Sequence, residues 1–136
     1  MLEDTKVAGF EKLQVLLVED DAFAQRLAVS VLKQLGITKL VVVKDGQAAI
    51  DQLNHEDTRY DLIISDWNMP NVTGLDLLKH VRKTWENMPF LMLTGNANEE
   101  FVRIAQANKV DAYIIKPFSP AQLKQKIMAI FRIKPV

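Results

Sequence analysis

Cysteine is absent from the 136 residues, which excludes disulfides, thiolate metal sites and cysteine nucleophiles and fits a reducing compartment. An excess of either charge is absent too: acidic and basic residues number 17 each. No overall basic field therefore exists to hold nucleic acid or an anionic membrane. No apolar run approaches membrane-spanning length, and Met1 to Lys6 has neither the charge order nor the apolar core of a signal peptide. Repeats and low-complexity tracts are missing as well. The expectation is a cytoplasmic protein without direct nucleic-acid or membrane contact. With apolar residues at 49 % of the chain, the length suits one globular domain around one core.

Residues 1–12 are mixed and aperiodic and read as an N-terminal extension, with Phe10 its candidate anchor; residues 13–136 form the domain. Gln14–Val18 is an apolar strand ending in Glu19-Asp20-Asp21. Apolar residues at helical spacing follow from Ala22 to Leu35, with Gly36 as the stop. Leu40–Val43 is a second strand, and Asp45 caps a helix that runs through Leu53. Leu62 to Ser65 has the branched apolar composition of a strand buried on both faces, ending at Asp66 before the turn-forming Asn68-Met69-Pro70-Asn71. A helix after Gly74 presents Lys79, Arg82 and Lys83 outward as a solvated face. Phe90–Leu93 is a fourth strand ending at Thr94, and Asn98 caps a helix that stops near Asn108-Lys109. Ala112–Ile115 is a fifth strand ending at Lys116-Pro117, and Ser119 with Pro120 opens the last helix. Five short strands alternating with five helices predict a three-layer, doubly wound α/β domain on a mainly parallel sheet.

Four of those strands deliver polar side chains at one edge: Glu19 and Asp20, Asp66, Thr94, and Lys116. Taken singly, each has a plain structural reading as a cap, a strand end or a solvated lysine. Crossovers in a doubly wound sheet gather them around one crevice. Three carboxylates there repel by roughly 4 kcal/mol per pair at about 4 Å, for an effective dielectric near 20. A hard divalent cation such as Mg²⁺ relieves that through oxygen ligands. Lys116 and Thr94 add a cation and a hydroxyl that can bond phosphoryl oxygens. An aspartate nucleophile, a metal, a lysine and a hydroxyl make a phosphoryl-transfer site working through an aspartyl phosphate.

Val18-Glu19-Asp20-Asp21, Ser65-Asp66-Trp67-Asn68-Met69-Pro70 with Gly74, Leu93-Thr94, and Tyr113-Ile114-Ile115-Lys116-Pro117-Phe118 together resemble the motif set of the receiver domain of bacterial two-component response regulators. The likeness runs from Gln14 to Phe131. It implies a flavodoxin-like (CheY-like) five-stranded parallel sheet in the order 2-1-3-4-5 and a cis Lys116–Pro117 bond. Asp66 would accept a phosphoryl group from a sensor histidine kinase or a histidine phosphotransfer protein, with Mg²⁺ as cofactor. Asp20 would ligate the metal directly and Glu19 through water, with Asp66 and the main-chain carbonyl of Asn68 completing the set; Asp21 matches no ligand position. Lys116 would pair with the phosphoryl oxygens, Thr94 would move toward them, and Tyr113 would swing inward behind Thr94. The chain would then be a phosphoacceptor that assists its own phosphorylation and dephosphorylation, not an enzyme. It would be a monomer, or a weak dimer when phosphorylated, that docks on a downstream protein target, or else a piece of a larger regulator.

The chain departs from the family pattern at Glu19, where Asp is commoner, at Thr73, at Gly95 and at Lys109, where a glycine usually ends the fourth helix. Gly95, with Asn68 and Asn96, bears on phosphate lifetime. Three alternatives compete. A haloacid dehalogenase-like phosphatase would need a second acid where Asn68 stands; a flavodoxin-like cofactor binder would need a phosphate loop where three acids stand; and a docking module working without phosphorylation would not need every site position filled. Trp67 reads as packing or docking surface, and His55 and His80 take no site role.

Overall fold

A computed structural model describes residues 6–55, 57–95 and 98–132. A 3-10 turn (Phe10–Lys12) leads into β1 (Gln14–Val18), α1 (Ala22–Gln34), β2 (Lys39–Val43), α2 (Gly46–Leu53), β3 (Leu62–Asp66), α3 (Gly74–Thr84), β4 (Phe90–Thr94), α4 (Glu99–Ala107), β5 (Ala112–Ile115) and α5 (Pro120–Ile130). The strands form one sheet in the order β2-β1-β3-β4-β5, and every neighbouring pair is parallel. This is the three-layer doubly wound architecture and strand order expected.

The alternation of strand side chains divides the core into two layers. Val15, Leu17, Leu62, Ile64, Leu91, Leu93 and Ile114 face α1 and α5. Leu16, Val18, Ile63, Phe90 and Met92 face α2, α3 and α4. The central strands β1, β3 and β4 are almost wholly buried, while β2 and β5, at the two edges, are partly exposed. Both the first and the last described segments join the α1–α5 layer. Val7 N–H donates to the Leu35 carbonyl at 2.9 Å, and the buried Phe10 ring meets Phe131 edge-on at 5.5 Å. Phe10 is thus the anchor of residues 7–12.

The helix starts are set locally. Asp45 accepts the Ala48 N–H at 2.8 Å, Asn98 accepts the Glu100 N–H at 2.8 Å, and Ser119 and Gln122 form a capping box. Thr73 and Asp76 form another. Gly36 ends α1 at φ +98°, the left-handed conformation that favours glycine.

Arg82 departs from the solvated face expected of Lys79, Arg82 and Lys83. Its guanidinium donates to the Met88 carbonyl at 2.7 Å, to the Lys109 carbonyl at 2.7 and 3.1 Å, and to Asp111 Oδ2 at 2.9 Å. The same Asp111 oxygen accepts the Phe90 N–H at 2.8 Å. One side chain therefore ties the end of α3 to the start of β4 and to the α4–β5 turn. Lys109 sits in that turn at φ 63°, so the turn after α4 is built on the left-handed backbone of Lys109 itself. That conformation costs a non-glycine residue about 1 kcal/mol, and the two Arg82 hydrogen bonds to its carbonyl offset the cost. Arg82→Met is expected to lower stability by about 2 kcal/mol, the scale of hydrogen bonds from a charged donor. Urea denaturation checks this, and an unchanged midpoint would refute the clamp.

Candidate phosphoacceptor site

The chain reverses its winding direction between β1 and β3, with β2 on one side of β1 and β3 on the other. The carboxyl ends of strands beside such a switch point are where doubly wound sheets hold ligands. The acidic row after β1 is fixed there by its own backbone. Glu19 N–H donates to the Val43 carbonyl at 3.0 Å, the Gln25 side-chain amide donates to the Glu19 carbonyl, and the Asp21 N–H donates to Glu19 Oε2 at 3.1 Å. Asp21 turns the other way and caps α1 by accepting the Ala24 N–H at 2.8 Å. Its position just before the first helical residue was the sequence signal for that role; nothing in the sequence marked Gln25.

Asp66 ends β3, buried to 5 % exposure. Trp67 N–H donates to the Leu93 carbonyl at 2.7 Å, and Gly74 N–H returns to the Trp67 carbonyl at 2.8 Å. The turn after Asp66 is thereby closed onto α3. A Cβ on Gly74 would stand 2.4 Å from the Asp66 carbonyl oxygen and 2.7 Å from Trp67 Cα, distances that only glycine permits. Lys116 follows β5, its N–H bonded to the Thr94 carbonyl at 2.7 Å, and the Lys116–Pro117 bond is cis. Its ammonium lies 2.5 Å from Glu19 Oε1 and 3.5 Å from Asp66 Oδ1. Thr94 is buried at 4 % exposure on the adjoining strand end. All four strand ends singled out in the sequence therefore converge on one crevice.

Carboxylate oxygens of Glu19, Asp20 and Asp66 lie within 4.8 Å of one another, the only such cluster found among the described residues. Glu19 is fully buried and Asp20 exposed. Burial raises the Glu19 carboxyl above the usual carboxylate range, against the pull of Lys116 and the Asp21 N–H. Burial likewise raises Asp66, while the Lys116 charge and the Asn68 N–H, at 3.3 Å from Oδ1, pull it down. Burial pushes the Lys116 ammonium down, but Glu19 and Asp66 outweigh that and hold it above its ordinary value. One cation thus faces three acids, and an all-oxygen donor set with surplus negative charge fits a hard divalent cation.

Tyr113 is half-buried two residues before Ile115, and Lys126 Nζ lies 5.9 Å from its ring centre. Trp67 is buried and its ring meets Phe101 of α4 at 5.1 Å and 48°, which is the packing role, one of the two the sequence left open. His55 follows α2 and His80 lies on α3, and neither belongs to the acidic cluster. Asn96 lies outside the described residues.

A carboxylate held at a sheet switch point, with two further acids and a lysine around it, defines the phosphoaccepting class of α/β signalling domains. The particular family is the response regulator receiver domain: its family model matches residues 15–128, and the chain belongs to it. The chain is similar to the chemotaxis protein CheY-3 of Vibrio cholerae, with 37 % identity over 124 residues, covering 89 % of this chain and 93 % of that one. Among solved structures, the chemotaxis response regulator CheY4 of Vibrio cholerae superimposes with a TM-score of 0.78 at 29 % identity, covering 87 % of this chain and 98 % of the other. The Mn²⁺-bound form of response regulator Rcp1 matches with a TM-score of 0.75 at 28 % identity, covering 91 % and 96 %. The chain is a phosphoacceptor response regulator of two-component signalling.

Two outcomes follow from this geometry. Gly74→Ala is expected to displace the turn after Asp66 and to lower the unfolding midpoint; an unchanged midpoint and unchanged Asp66 and Trp67 amide shifts would contradict the contact. The second concerns pH. A carboxyl whose folded pKa is raised contributes most below its unfolded pKa, and that contribution is lost as pH rises through the folded value. Asp66→Asn in the presence of EDTA should therefore stabilise the protein at pH 7 to 8. Lys116 keeps its closer partner, Glu19, in that variant. The gain should vanish below about pH 4, where the carboxyl is protonated in both states; thermal melts across pH, showing instead a gain at low pH or none at neutral pH, would overturn it.

Proposed function

We propose that Asp66 is the phosphoacceptor and that the donor is a phosphohistidine on a sensor histidine kinase or a histidine phosphotransfer protein. The observation that carries this is the Lys116 ammonium set between Glu19 and Asp66 at one end of the sheet. An Asp66 carboxylate oxygen forms the new P–O bond while the P–N bond to the donor imidazole breaks, and the imidazole nitrogen takes the electron pair. Lys116 is close enough to Asp66 to follow the charge onto the phosphoryl oxygens. Thr94, on the adjoining strand end, supplies a hydroxyl to the same oxygens.

Glu19, Asp20, Asp66 and the main-chain carbonyl of Asn68 would hold Mg²⁺. Bound there, the ion would offset the negative charge shared by the carboxylates and the entering phosphoryl group. The surplus of acids over Lys116 supports that assignment, as does the metal-bound state of the similar Rcp1. Asn68 stands where an aspartyl-phosphate phosphatase of the haloacid dehalogenase type would need its second acid, so the chain is read as an acceptor that assists its own phosphorylation and dephosphorylation. Thr94 and Tyr113 are the proposed switch, and a downstream protein is the proposed target. The same reading takes the protein as cytoplasmic, without direct contact to nucleic acid or membrane, and as a monomer or a weak dimer when phosphorylated; the balanced charge leaves no overall basic field for either surface.

Intact mass after incubation with acetyl phosphate tests the assignment. One phosphoryl adduct is expected with Mg²⁺, none with EDTA, and none for Asp66→Asn under either condition. A wild-type protein that stays unmodified with Mg²⁺ would instead favour a docking module that works without phosphorylation.

A further inference from the structure

The proposed inward movement of Tyr113 has nowhere to go in the resting fold. Trp67, Thr94, Phe101, Val102, Ala105 and Tyr113 enclose a cavity of only about 10 Å³ behind Thr94. That is the least space able to hold one water, about 10–15 Å³, and far less than a phenol ring occupies. Two of the walls of that cavity, Trp67 and Phe101, pack ring against ring with centroids 5.1 Å apart. On its outer side Tyr113 lines a groove with Lys126, whose ammonium lies 5.9 Å from the ring centre, within reach of a cation–π attraction.

The two rings of the blocking pair are not equally free. Trp67 is pinned by backbone bonds to Leu93 and Gly74 and lies next to Asp66. Phe101 sits in the first turn of α4, and α4 fully buries only Ala105, whereas α1 buries Ala24, Ala28, Val31 and Leu32. A helix with so little buried surface is the one that moves at least cost.

We infer that Trp67 and Phe101 form an aromatic latch that keeps Tyr113 outside, so that Tyr113 enters only as Phe101 leaves Trp67 and carries the first turn of α4 with it. This rests on the reading of Tyr113 as a switch residue. Phe101 is then a positioning residue of the switch, linking the segment next to Asp66 to the α4 surface, and Lys126 is a weaker restraint on the same ring.

The chain has two tyrosines, Tyr60 and Tyr113, so 3-fluorotyrosine labelling gives two ¹⁹F resonances, assigned with Tyr60→Phe. Tyr60 is buried at the far end of β3, bonded to Gln52, and reports an intact fold. In the wild type, beryllium fluoride with Mg²⁺ should move the Tyr113 resonance. In Phe101→Ala it should move toward that position with no mimic added, the inward population rising about tenfold, the upper end of what an aromatic pair contributes. Phe101→Leu should shift it in the same direction by less, as should Lys126→Gln. Should Phe101→Ala lose the folded Tyr60 resonance, Phe101→Leu carries the test. A Tyr113 resonance unchanged in the Phe101 variants, yet still responsive to the mimic, would overturn the latch and leave the switch intact. A wild-type Tyr113 that ignores the mimic would overturn the switch reading and the latch with it.

Discussion

One ammonium among three carboxylates is the constraint on which the rest of this molecule turns. Glu19 and Asp66 are buried where their charge is costly, and Lys116 is the cation that reaches both. Each of the three groups comes from a different strand, so the balance exists only if β1, β3 and β5 end at the same level, which the parallel register enforces. Asp21 shows how the fold limits the crowding. It is the fourth acid in the neighbourhood, yet its carboxylate is spent on the first turn of α1, where backbone N–H groups and the helix dipole favour negative charge. What remains is a cluster with two more carboxylates than ammonium groups, stable enough to fold and predisposed to gain positive charge.

The tension at that end of the sheet is answered by rigidity at the other. The central strands are buried on both faces, and Arg82 binds the start of β4, the end of α3 and the turn before β5 into one hydrogen-bonded unit. Phe10 and Phe131 close the α1–α5 layer in a similar way. Against this background α4 stands out as the least anchored helix beside the site. Stability is therefore distributed so that the strand ends stay fixed while one neighbouring helix can respond.

Most of the architecture was legible in the sequence because its determinants are local. Apolar runs of four or five residues, Asp45, Asn98 and Ser119 ahead of helical periods, and Gly36 after one each carry their meaning within a few positions. The strand order and the cis bond came from resemblance, since neither follows from local pattern. Arg82 was misread for the opposite reason: on its own helix it is one of three outward cations, and its partners lie at Met88, Lys109 and Asp111, brought close only by the sheet. Lys109 was marked as an anomaly where glycine is usual, but what sustains its left-handed backbone is again Arg82. The Trp67–Phe101 contact joins residues 34 positions apart by count from 67 to 101, and no period or motif announces it.

A phosphoryl group on Asp66 would enlarge the problem the fold has solved. It would bring more negative charge to a site already short of cations, and Lys116, the nearest ammonium, would have to divide itself between Glu19 and the new oxygens. On the proposed reading Thr94, whose carbonyl accepts the Lys116 N–H, would offer its hydroxyl to those oxygens, so a rearrangement begun by charge would pass to a hydroxyl without any long-range field. From there only packing can carry it, because the space behind Thr94 is walled by Trp67, Phe101, Ala105 and Tyr113. Close-packed walls do not deform continuously; they exchange one arrangement for another. A short-range electrostatic event at a strand end can therefore become a displacement on the helix surface, through side chains that never touch the phosphate.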